Sequence, residues 1–165
     1  MWGLLAVLAP VACSSDGAAL VSPDLSAEQA ATADLAGEPL AYDLRRTGRL
    51  DIVDSYGSVF PGKANGSFGA ARLFPEPPGS GYYGIALADL DRDGNVDVIV
   101  GEPVGPMLHV FRGRGAGVFG NDTAFPAGLS TQTIATADFN GDGLPDVATS
   151  DYSGSQVVVI LNTSK

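Results

Sequence analysis

The feature that most constrains this chain is an internal repeat built around a nine-residue acidic pattern. The segment from Asp89 to Asp97 reads DLDRDGNVD, and the segment from Asp138 to Asp146 reads DFNGDGLPD. Both carry oxygen-bearing side chains at positions 1, 3, 5 and 9, with glycine at position 6. The residues just before them also match, since IALAD at Ile85 recurs as IATAD at Ile134, 49 residues later. A period of roughly 20 to 50 residues predicts an architecture of similar units packed side by side.

Two further matches extend this repeat along the chain. FGAARLFP begins at Phe68 and FGNDTAFP at Phe119, 51 residues later. One period upstream of the acidic pattern, the segment from Asp43 to Asp51 reads DLRRTGRLD, which keeps the acids at positions 1 and 9 and the glycine at position 6. Positions 3 and 5 of this copy are Arg45 and Thr47. The chain therefore carries three copies of one turn, of which the first has lost part of its acidic set.

The two intact copies predict calcium sites. Ca²⁺ takes roughly six to eight oxygen ligands, so a short segment must turn sharply to direct several of them at one point. Glycine at position 6 suits that turn because it reaches positive φ without steric cost. Magnesium fits less well because it prefers a rigid octahedron and retains its waters. We expect two calcium ions, held by the side chains at positions 1, 3, 5 and 9 and the backbone carbonyl at position 7. The predicted ligands are Asp89, Asp91, Asp93, Asn95 and Asp97 in one loop, and Asp138, Asn140, Asp142, Leu144 and Asp146 in the other.

A plainer interpretation is that Asp-Gly and Asn-Gly simply mark hairpin turns. Calcium is favoured because three or four carboxylates within nine residues repel one another when no cation is present. The Asp43 loop is different. Arg45 at position 3 would place a guanidinium where the cation would sit, so we expect this loop to hold no metal.

The residues after each loop separate it from helical calcium motifs. Position 12 is Val100 or Thr149 rather than the acid of an EF-hand, and the following VDVIVG and PDVATS segments favour strands. A loop closed at its ninth residue between two strands resembles the calcium hairpins of integrin-type FG-GAP repeats and of the related VCBS repeats. The resemblance covers about Leu40 to Lys165.

That resemblance implies an all-β fold, a partial β-propeller of about three four-stranded blades of which the last is incomplete. The blades would span residues 38–84, 85–133 and 134–165. In the second blade we expect strands at GIALAD, VDVIVGE and MLHVFRG and a fourth near the FG segment. Three units are too few for the seven blades usual in integrin-type propellers, so we expect a fragment, self-association, or completion of the propeller by further repeats or a partner.

The first 37 residues predict export. Residues 1–13 have the apolar run of a signal peptide, which is too short to span a bilayer, and Cys13 lies where a bacterial lipoprotein carries its lipidated cysteine. Pro10 replaces the expected leucine and no basic residue precedes Arg45, so plain secretion stays open. Residues 14–37 are rich in Ala and Ser, acidic and without basic residues, which predicts a flexible linker. Export agrees with weak calcium sites that millimolar extracellular calcium would fill.

Charge and missing motifs narrow the function. The formal net charge of −10 argues against nucleic acid as a partner. His109 is the only histidine and is expected to point outward from its strand, and no nucleophile, zinc or phosphate motif appears. We therefore expect a non-catalytic, calcium-binding extracellular scaffold for adhesion or for binding a protein or glycan ligand, attached to a membrane only through a lipid anchor.

The alternative is a carbohydrate-binding or accessory module of a secreted carbohydrate-active enzyme. Such a module needs aromatic side chains that stack on sugar rings. The candidates are Tyr56, Tyr82, Tyr83 and Tyr152, for which a place on the blade surface or packing between blades is the simpler interpretation.

Overall fold

The computed structural model describes residues 39–73, 75, 83–102 and 105–164, and these residues contain strands and turns but no helix. The first sheet is formed by β1 (Leu40–Tyr42), β2 (Asp51–Val53), β3 (Ser58–Phe60) and β4 (Arg72–Leu73). The second is formed by β5 (Tyr83–Ala88), β6 (Asp97–Gly101), β7 (Met107–Gly113) and β8 (Phe119–Pro126). The third contains β9 (Thr131–Ala137), β10 (Asp146–Asp151) and β11 (Gln156–Ile160).

Each sheet is an antiparallel meander in which consecutive strands pair. The sheets are called blades 1, 2 and 3 below. The expected partial propeller is confirmed, with two four-stranded blades and a third that has three strands in the described part of the chain. The fourth strand of blade 2 begins at the FG dipeptide, where the sequence places it. Short strands separated by glycine-containing turns explain why the chain adopts this form.

The core consists of two apolar layers, one between each pair of adjacent blades. The first layer joins Leu40, Val53 and Val59 of blade 1 to residues of blade 2 that include Val98 and Phe111. The second joins the opposite face of blade 2 to blade 3 and includes Ile99, Leu108, Val110, Ile134 and Val147. Since β6 is covered on both faces, all five of its residues are buried. The uninterrupted VIV run in its sequence reflects this position.

Among the described residues, no further blade covers the outer face of blade 3. Residues on this face are the repeat counterparts, 49 positions later in the chain, of blade 2 residues that are buried in the second layer. Leu108 and Val110 are 1% and 3% exposed, whereas Val157 and Val159 are 71% and 48% exposed. Phe139, the counterpart of the buried Leu90, is also 49% exposed. Blade 3 therefore presents an apolar surface of the type that blade 2 buries.

The predicted signal peptide, the lipidation site at Cys13 and the linker over residues 14–37 all lie outside the described residues. Within the described part of the chain, no helix has the length and apolar character needed to cross a membrane.

Candidate calcium centres

The three nine-residue loops occupy equivalent places, because they connect β1 to β2, β5 to β6 and β9 to β10 at one end of the blades. In every loop the aspartate at position 1 accepts a hydrogen bond from the backbone N–H of the glycine at position 6. The pairs are Gly48 with Asp43 at 2.6 Å, Gly94 with Asp89 at 2.8 Å, and Gly143 with Asp138 at 2.7 Å. Those glycines have φ between 73° and 88°, the left-handed region that only glycine adopts without cost. The turn itself is therefore common to all three loops.

Positions 3 and 5 of the two acidic loops form local turns of their own. The side chain of Asp93 accepts a hydrogen bond from the Asn95 N–H at 2.7 Å, and Asp142 accepts one from the Leu144 N–H at 2.8 Å. These backbone bonds are the main cause of the lowered pKa of both carboxyl groups. Both carboxylates are therefore held charged and exposed at the end of the blade.

Three carboxylates of the Asp89 loop converge. Asp89, Asp91 and Asp93 each direct one oxygen into a group whose members lie within 4.8 Å of one another. The Oδ1 atom of Asp89 is buried and has no hydrogen-bond partner among the described residues. A buried carboxylate oxygen without a partner is costly unless a cation or a donor satisfies it. The donor set and this oxygen fit a calcium ion, whose preferred ligands are carboxylate and carbonyl oxygens.

The aspartates at position 9 have a structural role as well. Asp97 is 1% exposed and accepts hydrogen bonds from the N–H groups of Leu90 and Gly113, at 3.1 and 2.8 Å. Asp146 is 0% exposed and accepts hydrogen bonds from Phe139 and Asn162, at 2.9 and 2.7 Å. Each carboxylate thus joins the start of its loop to a distant strand end. Because a carboxylate oxygen can accept a second bond, their assignment as calcium ligands stays a prediction.

The Asp43 loop is closed by an arginine, as the sequence predicts. Arg45 at position 3 forms an ion pair with the buried Asp51 at position 9, with Nη2 2.7 Å from Oδ1, and its Nε also contacts this carboxylate. The same guanidinium donates to the carbonyl of Gly62 at 2.6 Å. Its bond to Asp51 raises the pKa of Arg45, so the positive charge is permanent. This loop has its own cation.

The Asp89 loop also has an arginine beside it, Arg112, which the sequence did not indicate. Arg112, near the end of β7, places Nη1 2.8 Å from Oδ2 of Asp91 and 3.5 Å from Oδ2 of Asp97. Its counterpart in blade 3, 49 residues later, is Leu161, which is 50% exposed. The two acidic loops therefore differ in their nearest cationic side chain.

Arginines at position 4 link each loop to the next blade. Arg46 of the first loop donates to the backbone carbonyl of Gly94 in the second. Arg92 of the second loop lies against Gly143 of the third, and its charge contributes to the lowered pKa of Asp142. Both arginines have positive φ, 51° and 59°, an unfavourable conformation for a side chain with a Cβ. Their recurrence 46 residues apart is the signal that would have identified this contact from the sequence.

Asn162 makes another pair of contacts that the sequence did not indicate. Its side-chain amide donates to the carbonyl of Leu90 in blade 2, at 2.6 Å, and to the carbonyl of Pro145 in blade 3, at 3.0 Å. The two acidic loops are therefore joined by a side chain from the end of β11. No local pattern marks an asparagine 72 residues from its partner, because the contact depends on the stacking of the blades.

The expectation that His109 points outward is wrong. The side chain is buried, with Nδ1 2.7 Å from Asp122 and Nε2 3.0 Å from Glu102. The β7 strand lies between β6 and β8, so carboxylates from β8 and from the end of β6 come within hydrogen-bond distance of both ring nitrogens. This arrangement ties β7 to β8 and to the end of β6.

The opposite end of the blades carries exposed aromatic side chains. Tyr56 and Tyr152 lie in the β2–β3 and β10–β11 turns and are 73% and 76% exposed. Tyr83 at the start of β5 and Leu129 just before β9 lie at the same end and are also exposed. Packing does not explain the position of Tyr56 or Tyr152. We call this end, with its three tyrosines and Leu129, the aromatic end of the molecule.

Comparison with known proteins agrees with this architecture. The family model described as FG-GAP-like repeat matches residues 43–100 and 101–149. Human integrin alpha-10 is 28% identical over 181 aligned residues, which cover 91% of this chain and 15% of the integrin chain. The chain thus spans a small part of the length of that relative. With more than half of its residues matched, the chain belongs to the FG-GAP-like repeat family.

Proposed function

We propose that this chain is a calcium-binding, non-catalytic scaffold that is exported and binds a protein ligand at the cell surface. The observation that carries the calcium assignment is the convergence of the Asp89, Asp91 and Asp93 carboxylates, together with a buried, unpartnered oxygen on Asp89. Repetition of the same turn in the Asp138 loop supports a second ion. Similarity to an integrin alpha chain supports an adhesive role and an extracellular location.

Under this proposal the two ends of the blades have different roles, one binding calcium and the other binding the ligand. Calcium at the loop end would neutralise the acidic clusters and fix the β5–β6 and β9–β10 connections. Ligand would bind at the aromatic end, where Tyr56 and Tyr152 combine apolar rings with hydroxyl groups, a combination that is common in protein interfaces. The loop end would then act on binding only by keeping the blades in register.

Isothermal titration of the purified chain with CaCl2 tests the calcium assignment. We expect two ions per chain, one ion in Asp93→Ala or Asp142→Ala alone, and none in the double variant. A stoichiometry of zero, or one that the double variant leaves unchanged, contradicts the assignment.

Attachment of immobilised protein to cells, measured with calcium present, tests the ligand-binding end. Tyr56→Ala together with Tyr152→Ala should abolish attachment, whereas Phe68→Ala, which removes an exposed aromatic ring elsewhere on blade 1, should not. Equal attachment by all three proteins contradicts the assignment of this end.

The second candidate function is glycan binding, which one cleft favours. A cavity of about 680 Å³ lies between blades 1 and 2, next to the first two loops, and Tyr42, Asp43, Asp89, Asn95 and Phe119 contribute to its walls. An aromatic ring beside several side-chain oxygens that can accept hydrogen bonds from hydroxyl groups suits a saccharide. Binding on a glycan array that is lost in Tyr42→Ala and retained in the tyrosine double variant would favour this candidate over the first.

We further propose that another blade of the same type covers the apolar face of blade 3. Val157, Val159 and Phe139 are exposed in the register of residues that blade 2 buries against its neighbour. A second copy of the chain is one source of such a blade. Light scattering should then give a mass above that of one chain, and Val159→Asp should reduce this mass to that of one chain.

Lipidation of Cys13 is a separate proposal, and Cys13→Ser should release the expressed protein from the membrane fraction.

A further inference from the structure

The Asp89 loop contains one more carboxylate than the Asp138 loop, and an arginine lies against that carboxylate. Position 3 is Asp91 in the first and Asn140 in the second. Asp91 is the residue that Arg112 contacts at 2.8 Å. Where position 3 is uncharged, the counterpart of Arg112 is Leu161. The Asp89 loop therefore has one negative and one positive charge that the Asp138 loop lacks.

The Asp43 loop shows what a guanidinium does at this site. Arg45 binds the position 9 carboxylate there, and the loop keeps the same turn without the acids at positions 3 and 5. Arg112 approaches the corresponding carboxylate of the second loop, Asp97, from β7 rather than from within the loop. Its approach is incomplete because its distance to Asp97 is 3.5 Å, and its closer partner is Asp91.

We infer that Arg112 is a built-in counter-cation of the Asp89 loop, which calcium must displace from Asp91 in order to bind. The inference rests on the proposed calcium function of the loop. Arg112 is a positioning residue, since it holds Asp91 and Asp97 in the metal-free loop and competes with the ion for them. Its charge offsets the extra carboxylate, so the affinity of this loop stays close to that of the Asp138 loop.

The inference predicts two opposite effects of removing Arg112. Without its guanidinium, Asp91 of the metal-free loop loses its counter-charge, and the loop should be less stable. Calcium no longer competes with a positive charge, so its affinity should rise. A residue that only packs against the loop would lower stability and affinity together.

The experiment measures the calcium affinity of one loop at a time by isothermal titration. Asp142→Ala isolates the Asp89 loop, and Arg112→Leu is added to it, leucine being the natural counterpart at Leu161. We expect calcium to bind roughly threefold to fivefold more tightly, as removal of one exposed competing ion pair allows. In parallel, the melting temperature of Arg112→Leu in chelator should fall, and the rise produced by calcium should exceed that of the unmodified chain.

Arg114→Leu is the matched control. Arg114 is exposed in the turn after β7 and its removal changes the net charge equally, so its calcium affinity should stay within error of the unmodified chain. The reciprocal change, Leu161→Arg with Asn140→Asp in the Asp93→Ala background, should give the Asp138 loop the metal-free stabilisation of the Asp89 loop.

The outcomes separate the inference from the function beneath it. If the unmodified chain shows no calcium heat and no thermal shift, the calcium function fails and the role of Arg112 fails with it. If the chain binds two ions but Arg112→Leu binds calcium with unchanged or lower affinity, only the inference is overturned.

Discussion

The Asp43 and Asp89 loops show two ways of neutralising the same turn. Both use a position 1 aspartate to hold the N–H of a left-handed glycine, and both end at a buried position 9 aspartate. In the Asp43 loop the guanidinium of Arg45 satisfies that buried charge. In the Asp89 loop the position 1 aspartate is joined by two further carboxylates, Asp91 and Asp93, and it carries a buried oxygen that has no partner in the described structure.

This difference separates the turn from the metal. Glycine at position 6 and aspartates at positions 1 and 9 are sufficient for the turn, because the Asp43 loop forms it with an arginine. The acids at positions 3 and 5 are not needed for the turn, and under the proposed function they serve calcium. On that proposal, a loop of this type can hold either a metal ion or an arginine while connecting the same two strands.

The largest expected effect is the loss of stability on removal of calcium. A ligand that binds only the folded state stabilises it by about 2.7 kcal/mol per site at a hundredfold excess over its Kd, so two independent sites contribute about 5 kcal/mol. Excess chelator should lower the melting temperature sharply, and proteolysis should begin near Gly94 and Gly143 rather than near Gly48. A melting temperature that is identical in calcium and in chelator would show that the acidic loops are ordinary turns.

Conversion of the Asp43 loop into an acidic loop should give a smaller effect, and it tests directly whether Arg45 takes the place of a metal ion. The double change Arg45→Asp with Thr47→Asp restores the acidic template at positions 1, 3, 5 and 9. Without calcium this variant should be less stable than the unmodified chain, because Asp51 loses its partner. With calcium it should bind three ions instead of two, and regain up to about 2.7 kcal/mol at a hundredfold excess over Kd. Arg45→Ala alone is the control and should stay at two ions.

The position 9 aspartates provide the next test. Asp51→Ala removes a buried acceptor from the Gly62 N–H, and leaving such a donor unsatisfied costs about 1 to 3 kcal/mol. The cost should be the same with and without calcium. Asp146→Ala should have a comparable cost in chelator and a larger one in calcium, because it removes a proposed ligand as well. Melting curves in both conditions measure the difference, and equal costs for Asp146→Ala would restrict that residue to its structural role.

The sequence predicted the repeat, the all-β fold, the strands of blade 2 and the arginine in the Asp43 loop, since these depend on local spacing and residue type. It did not predict contacts between residues far apart in the chain. Within blade 2, strand pairing brings Arg112 of β7 to Asp91 in the β5–β6 loop, 21 residues earlier. Between blades, the stacking of sheets brings Asn162 to the carbonyl of Leu90. His109 was predicted to face solvent, whereas carboxylates from β8 and from the end of β6 lie against its ring.

The smallest effect concerns acid stability after the metal contribution has been removed. In chelator, acid sensitivity comes from carboxylates that ion pairs or hydrogen bonds hold, and Asp151 belongs to the second group. The N–H of Gly154 and then the backbone near Leu129 lower its pKa, and its oxygens also accept from Ser130 and Gln156. A carboxyl group with a lowered folded-state pKa stabilises the protein above its unfolded pKa of about 3.9, and this stabilisation is lost as the pH falls through the folded value.

Asp151→Asn should therefore lower the melting temperature by a few degrees at neutral pH, and the difference from the unmodified chain should vanish at the acid end of a pH series in chelator. Asp97 has the opposite sign, because burial raises its pKa despite the N–H groups of Gly113 and Leu90. Its protonation relieves a buried charge and so favours the folded state as the pH falls. Asp97→Asn removes that contribution and should widen the stability gap between neutral and acidic pH, whereas Asp151→Asn should narrow it. If Asp151→Asn differs from the unmodified chain by the same amount at every pH, the charge of Asp151 contributes nothing, and hydrogen-bonding geometry alone accounts for its place at the end of β10.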